Sequence, residues 1–213
     1  MKLTISLQET EYVKDVLRAA LPDVKSSHRV EAMARGLGWR TNASMRADLV
    51  GDSIEVNADE DTFLAYLREH SFDAPRGCLT RALAKAGIRR AMDMEPTLTH
   101  FGLGVFRDRK QTREEREAKF AENRAALLDD HVAEEFVRAA DFLCRFGRRK
   151  TINTRRGSYG LKHDAEKFTG GYVANGTMIA AALALGFTIK PTDWDSPNAY
   201  FNISSRVRTA EAG

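Results

Sequence analysis

The sequence predicts a mainly α fold: two related helix-turn-helix-like units, a helical middle section and at most a short β-strand pair. Three observations carry this. The chain states one pattern twice, as His28-Arg29-Val30-Glu31 with Trp39-Arg40-Thr41-Asn42-Ala43-Ser44-Met45-Arg46-Ala47, and as His163-Asp164-Ala165-Glu166 with Tyr172-Val173-Ala174-Asn175-Gly176-Thr177-Met178-Ile179-Ala180. Apolar residues recur at helical spacing through most of the chain, while polar–apolar alternation is confined to short stretches.

The elements follow in order. Residues 2–8 alternate and read as a short half-buried strand or an extended arm. Tyr12, Val13, Val16, Leu17 and Ala20 mark a helix that Pro22 stops. Residues 26–37 form a second helix, with Val30, Met33, Ala34 and Leu37 on one stripe, and Gly36 and Gly38 break it. Thr41 or Asn42 can cap a third, through about Leu49. Gly51-Asp52 is a turn, and Ser53 to Val56 a short strand. Asp59 to Arg68 is helical, burying Phe63, Leu64 and Leu67; Asp73 to Gly77 is a loop; residues 78–92 are an alanine-rich helix interrupted at Gly87. Glu95 to Val105 reads as irregular.

Thr112-Arg-Glu-Glu115 is a capping box opening a charged helix to about Leu128. Val132, Phe136, Ala140 and Leu143 mark an amphipathic helix reaching Phe146. A basic loop and the second copy of the pattern follow, to about residue 187. The tail carries Trp194, Tyr200 and Phe201, docks through them and frays after Ser205. The domain reading is residues 1–106, a helical unit with the first copy, and 107–213, long helices, the basic loop and the second copy.

Composition bounds the function classes. The 213 residues suffice for one large domain or two small ones, and a net charge of +3 excludes a histone-like polycation while leaving room for a local basic face. Cys78 and Cys144 stand apart from any CxxC and read as reduced thiols. The first fifteen residues hold no apolar run suited to a signal peptide, and the most apolar window, Met178 to Phe187, is too short to span a bilayer. The expectation is a soluble, cytoplasmic chain with no membrane partner.

The first copy fits a helix-turn-helix frame at Ala34, Leu37, Gly38 and Trp39. Arg40, Asn42 and Arg46 would then stand on the polar side of a recognition helix, since Asn and Arg pair bidentately with adenine and guanine edges. The register slips at Ser44, and the competing reading is a plain helical hairpin with Trp39 in the core and Asn42 as cap. The second copy supports that reading: Thr177 to Leu185 is apolar nearly all round, the mark of a buried helix. The shared pattern therefore encodes packing first, with Asn42 and Asn175 as caps and Trp39 and Tyr172 at equivalent buried positions. The repeated His-x-x-Glu places two possible metal ligands on one helix face in each copy. Glu usually precedes His in such sites, and a locally bonded His is the commoner use; no metal or cofactor is assigned.

The strongest charge signal runs from Arg145 to Lys162. Arg145, Arg148, Arg149, Lys150, Arg155, Arg156 and Lys162 lie there with no acidic residue, and with Phe146 and Tyr159 interleaved. Cations of this kind release condensed counterions from phosphate backbones, and aromatics stack on unpaired bases. A solvated loop, or one paired with acidic residues of 108–135, is the alternative. No P-loop, Rossmann fingerprint, zinc-ligand spacing or serine-hydrolase elbow occurs.

At Ser27 to Ser44, and again at Tyr159 to Glu166 with Tyr172 to Ala182, the chain resembles uncharacterised bacterial proteins carried on plasmids, phages and integrative elements. The resemblance implies a mobile-element context. It brings no assigned activity. The resulting expectation is a non-enzymatic nucleic-acid-binding or regulatory accessory protein. The runner-up is a protein-binding inhibitor of a host defence or host machinery complex, and a helical metalloenzyme stands third.

Overall fold

The computed structural model describes residues 1–105 and 110–207. The boundary read from the sequence at 106/107 lies outside the described residues. The chain divides into two compact units, Met1–Ala86 and the part from Gly87 onward.

In the first unit, β1 (Lys2–Ile5) pairs antiparallel with β2 (Ile54–Asn57), Leu3 opposite Val56. Ser6 ends β1 and opens α1 (Leu7–Ala20) through a capping box with Glu9, each side chain bonding the other's backbone amide. Thr10, Val13 and Leu17 form the buried stripe of α1. Next come α2 (Ser26–Gly36), α3 (Asn42–Asp48) and α4 (Glu60–Glu69). Close packing of α2 on α4 depends on Gly36. Its carbonyl accepts the Asp59 N–H at 2.8 Å, and a Cβ there would stand 2.9 Å from Phe63 Cβ. Glu60 ties down the start of α5 (Cys78–Met94), accepting the amides of Gly77, Leu79 and Thr80 at 2.9, 3.3 and 3.0 Å. The expected interruption at Gly87 does not occur: Gly87 is buried within an unbroken helix.

In the second unit the last turns of α5, from Gly87, lead to a hairpin of β3 (Leu98–Thr99) and β4 (Gly102–Leu103). Thr112 and Glu115 form the anticipated capping box of α6 (Arg113–Ala125), and a 3-10 turn at Ala126–Leu128 leads into α7 (Asp130–Leu143). After α7 come β5 (Phe146–Gly157), α8 (Ser158–Thr169), α9 (Asn175–Ala184), β6 (Ile189–Pro191) and β7 (Ala199–Val207). Helix α9 is buried along its whole length and packs against α7 and α8. Strands β5, β7 and β6 form an antiparallel sheet in that order, with β5 at one edge.

The fold thus mixes helix with three antiparallel sheets among the described residues, which corrects the mainly α expectation. Two of the strands stand where a basic loop and a docked tail were expected. Both have physical reasons. An edge strand leaves one side to water, so β5 can carry many cations without desolvating them. Its pairing is also irregular. Phe146 to Gly157 spans eleven residue steps opposite only seven from Val207 to Tyr200, and the bulges erase any two-residue alternation. In β7 the alternation is plain, since Ala199, Phe201 and Ile203 are buried with half-exposed residues between them. The ladder continues past Ser205 to Val207, and the rest of the tail expected to fray lies outside the described residues.

Both copies of the repeated pattern are helical hairpins. Helices α2 and α3 are joined by Leu37–Thr41, and α8 and α9 by Gly170–Ala174, five residues in each case.

Candidate nucleic-acid interface

The basic segment is split by the fold. Arg148, Arg149, Lys150 and Arg155 are exposed along β5, and none of them forms an ion pair among the described residues. Arg148 reaches the Gly186 carbonyl at 3.4 Å. The remaining three cations are used within the unit. Arg145 stacks 4.1 Å over the Phe168 ring. Arg156 pairs with Asp164 and lies 5.6 Å over Phe146. Lys162 is buried and pairs with Glu166 at 2.8 Å. No cation of the segment pairs with a carboxylate of 110–135 among the described residues.

An aromatic cluster adjoins the end of β5. Lys162 Nζ lies 4.9 Å from the Tyr172 ring centroid and 5.7 Å from that of Tyr159. These rings are 61% and 56% exposed, and with Asn123, Asn198 and Phe101 they line a cleft of about 330 Å³. Tyr172 therefore faces solvent, against the expectation of burial. Trp39, its counterpart in the first copy, is half-buried and donates its Nε1 proton to Asp48 at 2.8 Å. The expectation that Trp39 and Tyr172 occupy equivalent buried positions is corrected; the buried anchors of the two turns are Leu37 and Val173.

Arg40, Asn42 and Arg46 lie in the first unit, apart in sequence and domain from β5. Arg40 is exposed, and Arg46 pairs with Glu11 at 3.0 Å. The cap of α3 is Thr41, whose hydroxyl accepts the Ser44 N–H at 3.1 Å, while Asn42 is the first helical residue. Asn175 has the same place in α9 after Ala174. Its side chain is a buried clamp: Oδ1 accepts from Ser158 at 2.7 Å, and Nδ2 donates to the carbonyls of Pro197 and Phe101 at 2.9 and 3.3 Å. The expectation that each asparagine caps its helix or the turn before it is thereby corrected.

The repeated His-x-x-Glu also has a definite structural use. Glu31 accepts the Asn42 N–H at 3.1 Å, and Glu166 accepts the Val173 N–H at 3.1 Å. Each glutamate holds the turn that follows its own helix. His28 Nδ1 lies 3.2 Å from the Tyr66 hydroxyl, and His163 Nδ1 donates to Glu166 at 2.7 Å. Burial alone would raise the Glu166 carboxyl. The hydrogen bonds from Lys162, Val173 and His163, with the Lys162 charge, outweigh it and hold the group below the usual carboxylate range.

A cluster absent from any sequence motif gathers around Glu135. This buried carboxylate accepts the Ala174 N–H at 2.8 Å and the Thr177 hydroxyl at 2.9 Å, through Oε2. His100 Nε2 donates to the same oxygen at 3.3 Å, and His131 lies one helical turn before Glu135 on α7. Burial pushes the Glu135 carboxyl up, but these donors and the His100 charge prevail and lower it overall. The only sequence signal is His131 and Glu135 four apart on one amphipathic helix; His100 sits in a stretch that reads as irregular.

No family model, curated protein or solved structure matches the chain. Among the described residues, no helix is long and apolar enough to cross a membrane.

Proposed function

We propose that the chain is a non-enzymatic nucleic-acid-binding or regulatory accessory protein, of the kind mobile elements carry, acting through the outer edge of β5. The carrying observation is the exposed set Arg148, Arg149, Lys150 and Arg155, which lacks carboxylate partners among the described residues. Such cations neutralise backbone phosphates and release the counterions condensed on the nucleic acid, with a gain in entropy. Tyr159, two residues beyond the strand, offers a stacking face for an unpaired base. Cytoplasmic location is part of this reading.

The same strand supports a second reading, an inhibitor that binds a protein. An edge strand presents unpaired backbone groups to an added strand, and its cations would favour an acidic partner. Mobility-shift titrations at two salt concentrations, on two unrelated sequences in single- and double-stranded form, separate the readings. Nucleic-acid binding requires similar affinity for unrelated sequences and a steep loss with salt. Absence of a shift at low salt rejects it and favours the protein partner.

A further inference from the structure

We propose that His100, His131 and Glu135 form a binding site for a divalent transition metal of the zinc type, with a coordination position left open. Their potential ligand atoms all lie within 4.8 Å of one another. The His100 Nε2 to Glu135 Oε2 separation is 3.3 Å. Metal–ligand bonds of about 2.0–2.1 Å at a tetrahedral angle place neighbouring ligand atoms about 3.3–3.4 Å apart. Those two atoms already define one edge of such a tetrahedron, and the ion takes the place of the proton they share. His131 is exposed in the first turn of α7, and its ring meets that of His100 edge-on at 6.0 Å. A modest side-chain rotation completes the third bond.

The surrounding structure holds two ligands in place before any ion arrives. His100 is fixed by its backbone on both sides: its N–H donates to the Asn123 carbonyl at 3.0 Å, and its carbonyl accepts the Gly176 N–H at 3.1 Å. That approach needs a glycine, since a Cβ at 176 would run into the carbonyl oxygens of Thr99 and His100. Glu135 is oriented by Ala174 N–H and Thr177 hydroxyl, the kind of outer bonds that metal-ligating carboxylates carry. Two imidazoles and one carboxylate select a zinc-like ion over magnesium or calcium, which prefer all-oxygen surroundings. Three protein ligands leave a fourth position for water or an added ligand. His100 lines the 330 Å³ cleft together with Asn123 and Asn175, so an outside ligand has a route to that position. The competing account is a His100–Glu135 ion pair whose sole task is to hold the start of α9.

The experiment uses full-length protein without a histidine tag, stripped with EDTA and titrated with Zn²⁺ by calorimetry and with Co²⁺ by visible absorption. The expected result is one ion per chain, Co²⁺ bands of low-coordinate type, a raised melting temperature with Zn²⁺, and no competition from millimolar Mg²⁺. His131→Ala keeps the fold, because His131 is exposed, and weakens binding by about tenfold or more. His163→Ala leaves binding unchanged. Glu135→Gln, checked by circular dichroism, abolishes it. Absence of a one-to-one Zn²⁺ complex, or equal affinity in His131→Ala and the parent, overturns the assignment. Neither result bears on the β5 surface, which is read by its own salt titration.

Discussion

At the scale of single residues, the polar side chains that matter are those receiving backbone amides. Glu135 is the clearest. Its replacement by Gln keeps the shape but removes the anionic acceptor at the positive end of α9, and should cost about 1–3 kcal/mol by chemical denaturation. Thr41→Ala should cost about 0.5–2 kcal/mol through loss of the α3 cap. Asn42→Ala, by contrast, should be neutral or slightly stabilising, because Asn42 Oδ1 is buried without a hydrogen-bond partner. A larger loss at Asn42 than at Thr41 in thermal melts contradicts this assignment. The sequence could not separate these two neighbours. Both residue types cap helices, and which one does so is set by backbone angles one residue apart: Thr41 is extended, at φ −144° and ψ 157°. The Glu135 constellation was equally illegible, since it assembles from the β3–β4 hairpin, α7 and α9.

At the scale of elements, helices were legible where a stripe or a cap was local. The capping box at Thr112 and the buried α9 are read directly from neighbouring residues. Strand β5 was not, because its partner lies about fifty residues away and bulges disguise its pleat. Its two roles can be separated by mutation. Reversing Arg148, Arg149 and Lys150 to Glu alters exposed side chains, whose one side-chain bond among the described residues is the long contact from Arg148 to the Gly186 carbonyl, so stability should change by no more than about 0.5 kcal/mol per substitution. If the strand binds phosphates, the same variant should weaken binding on unrelated sequences and flatten the salt dependence by up to about three units of slope. Phe201→Ala acts oppositely: it empties a fully buried site in β7 and should cost about 3–5 kcal/mol.

At the scale of the whole molecule, acid should be the sensitive variable. Glu11, Asp59, Glu135 and Glu166 are all held below the usual carboxylate range in the folded chain. A depressed carboxyl contributes stability that is fully present above its unfolded value, near about 4, and is lost as pH falls through the folded value. Melting temperatures should therefore hold level from pH 7 to about pH 5 and drop below about pH 4, with a shallower drop in Glu135→Gln. Calorimetric scans across that range provide the check. The repeated pattern was legible as two hairpins, but its purpose lay in the glutamates rather than the asparagines. Glu31 serves residue 42, Glu60 serves 77–80, Glu135 serves 174 and 177, and Glu166 serves 173. In every case the acceptor precedes the segment it secures. A chain emerging from the ribosome thus has these four carboxylates outside before the turn or helix start that needs them, whereas Glu9 and Glu115 reach back to helix starts already made.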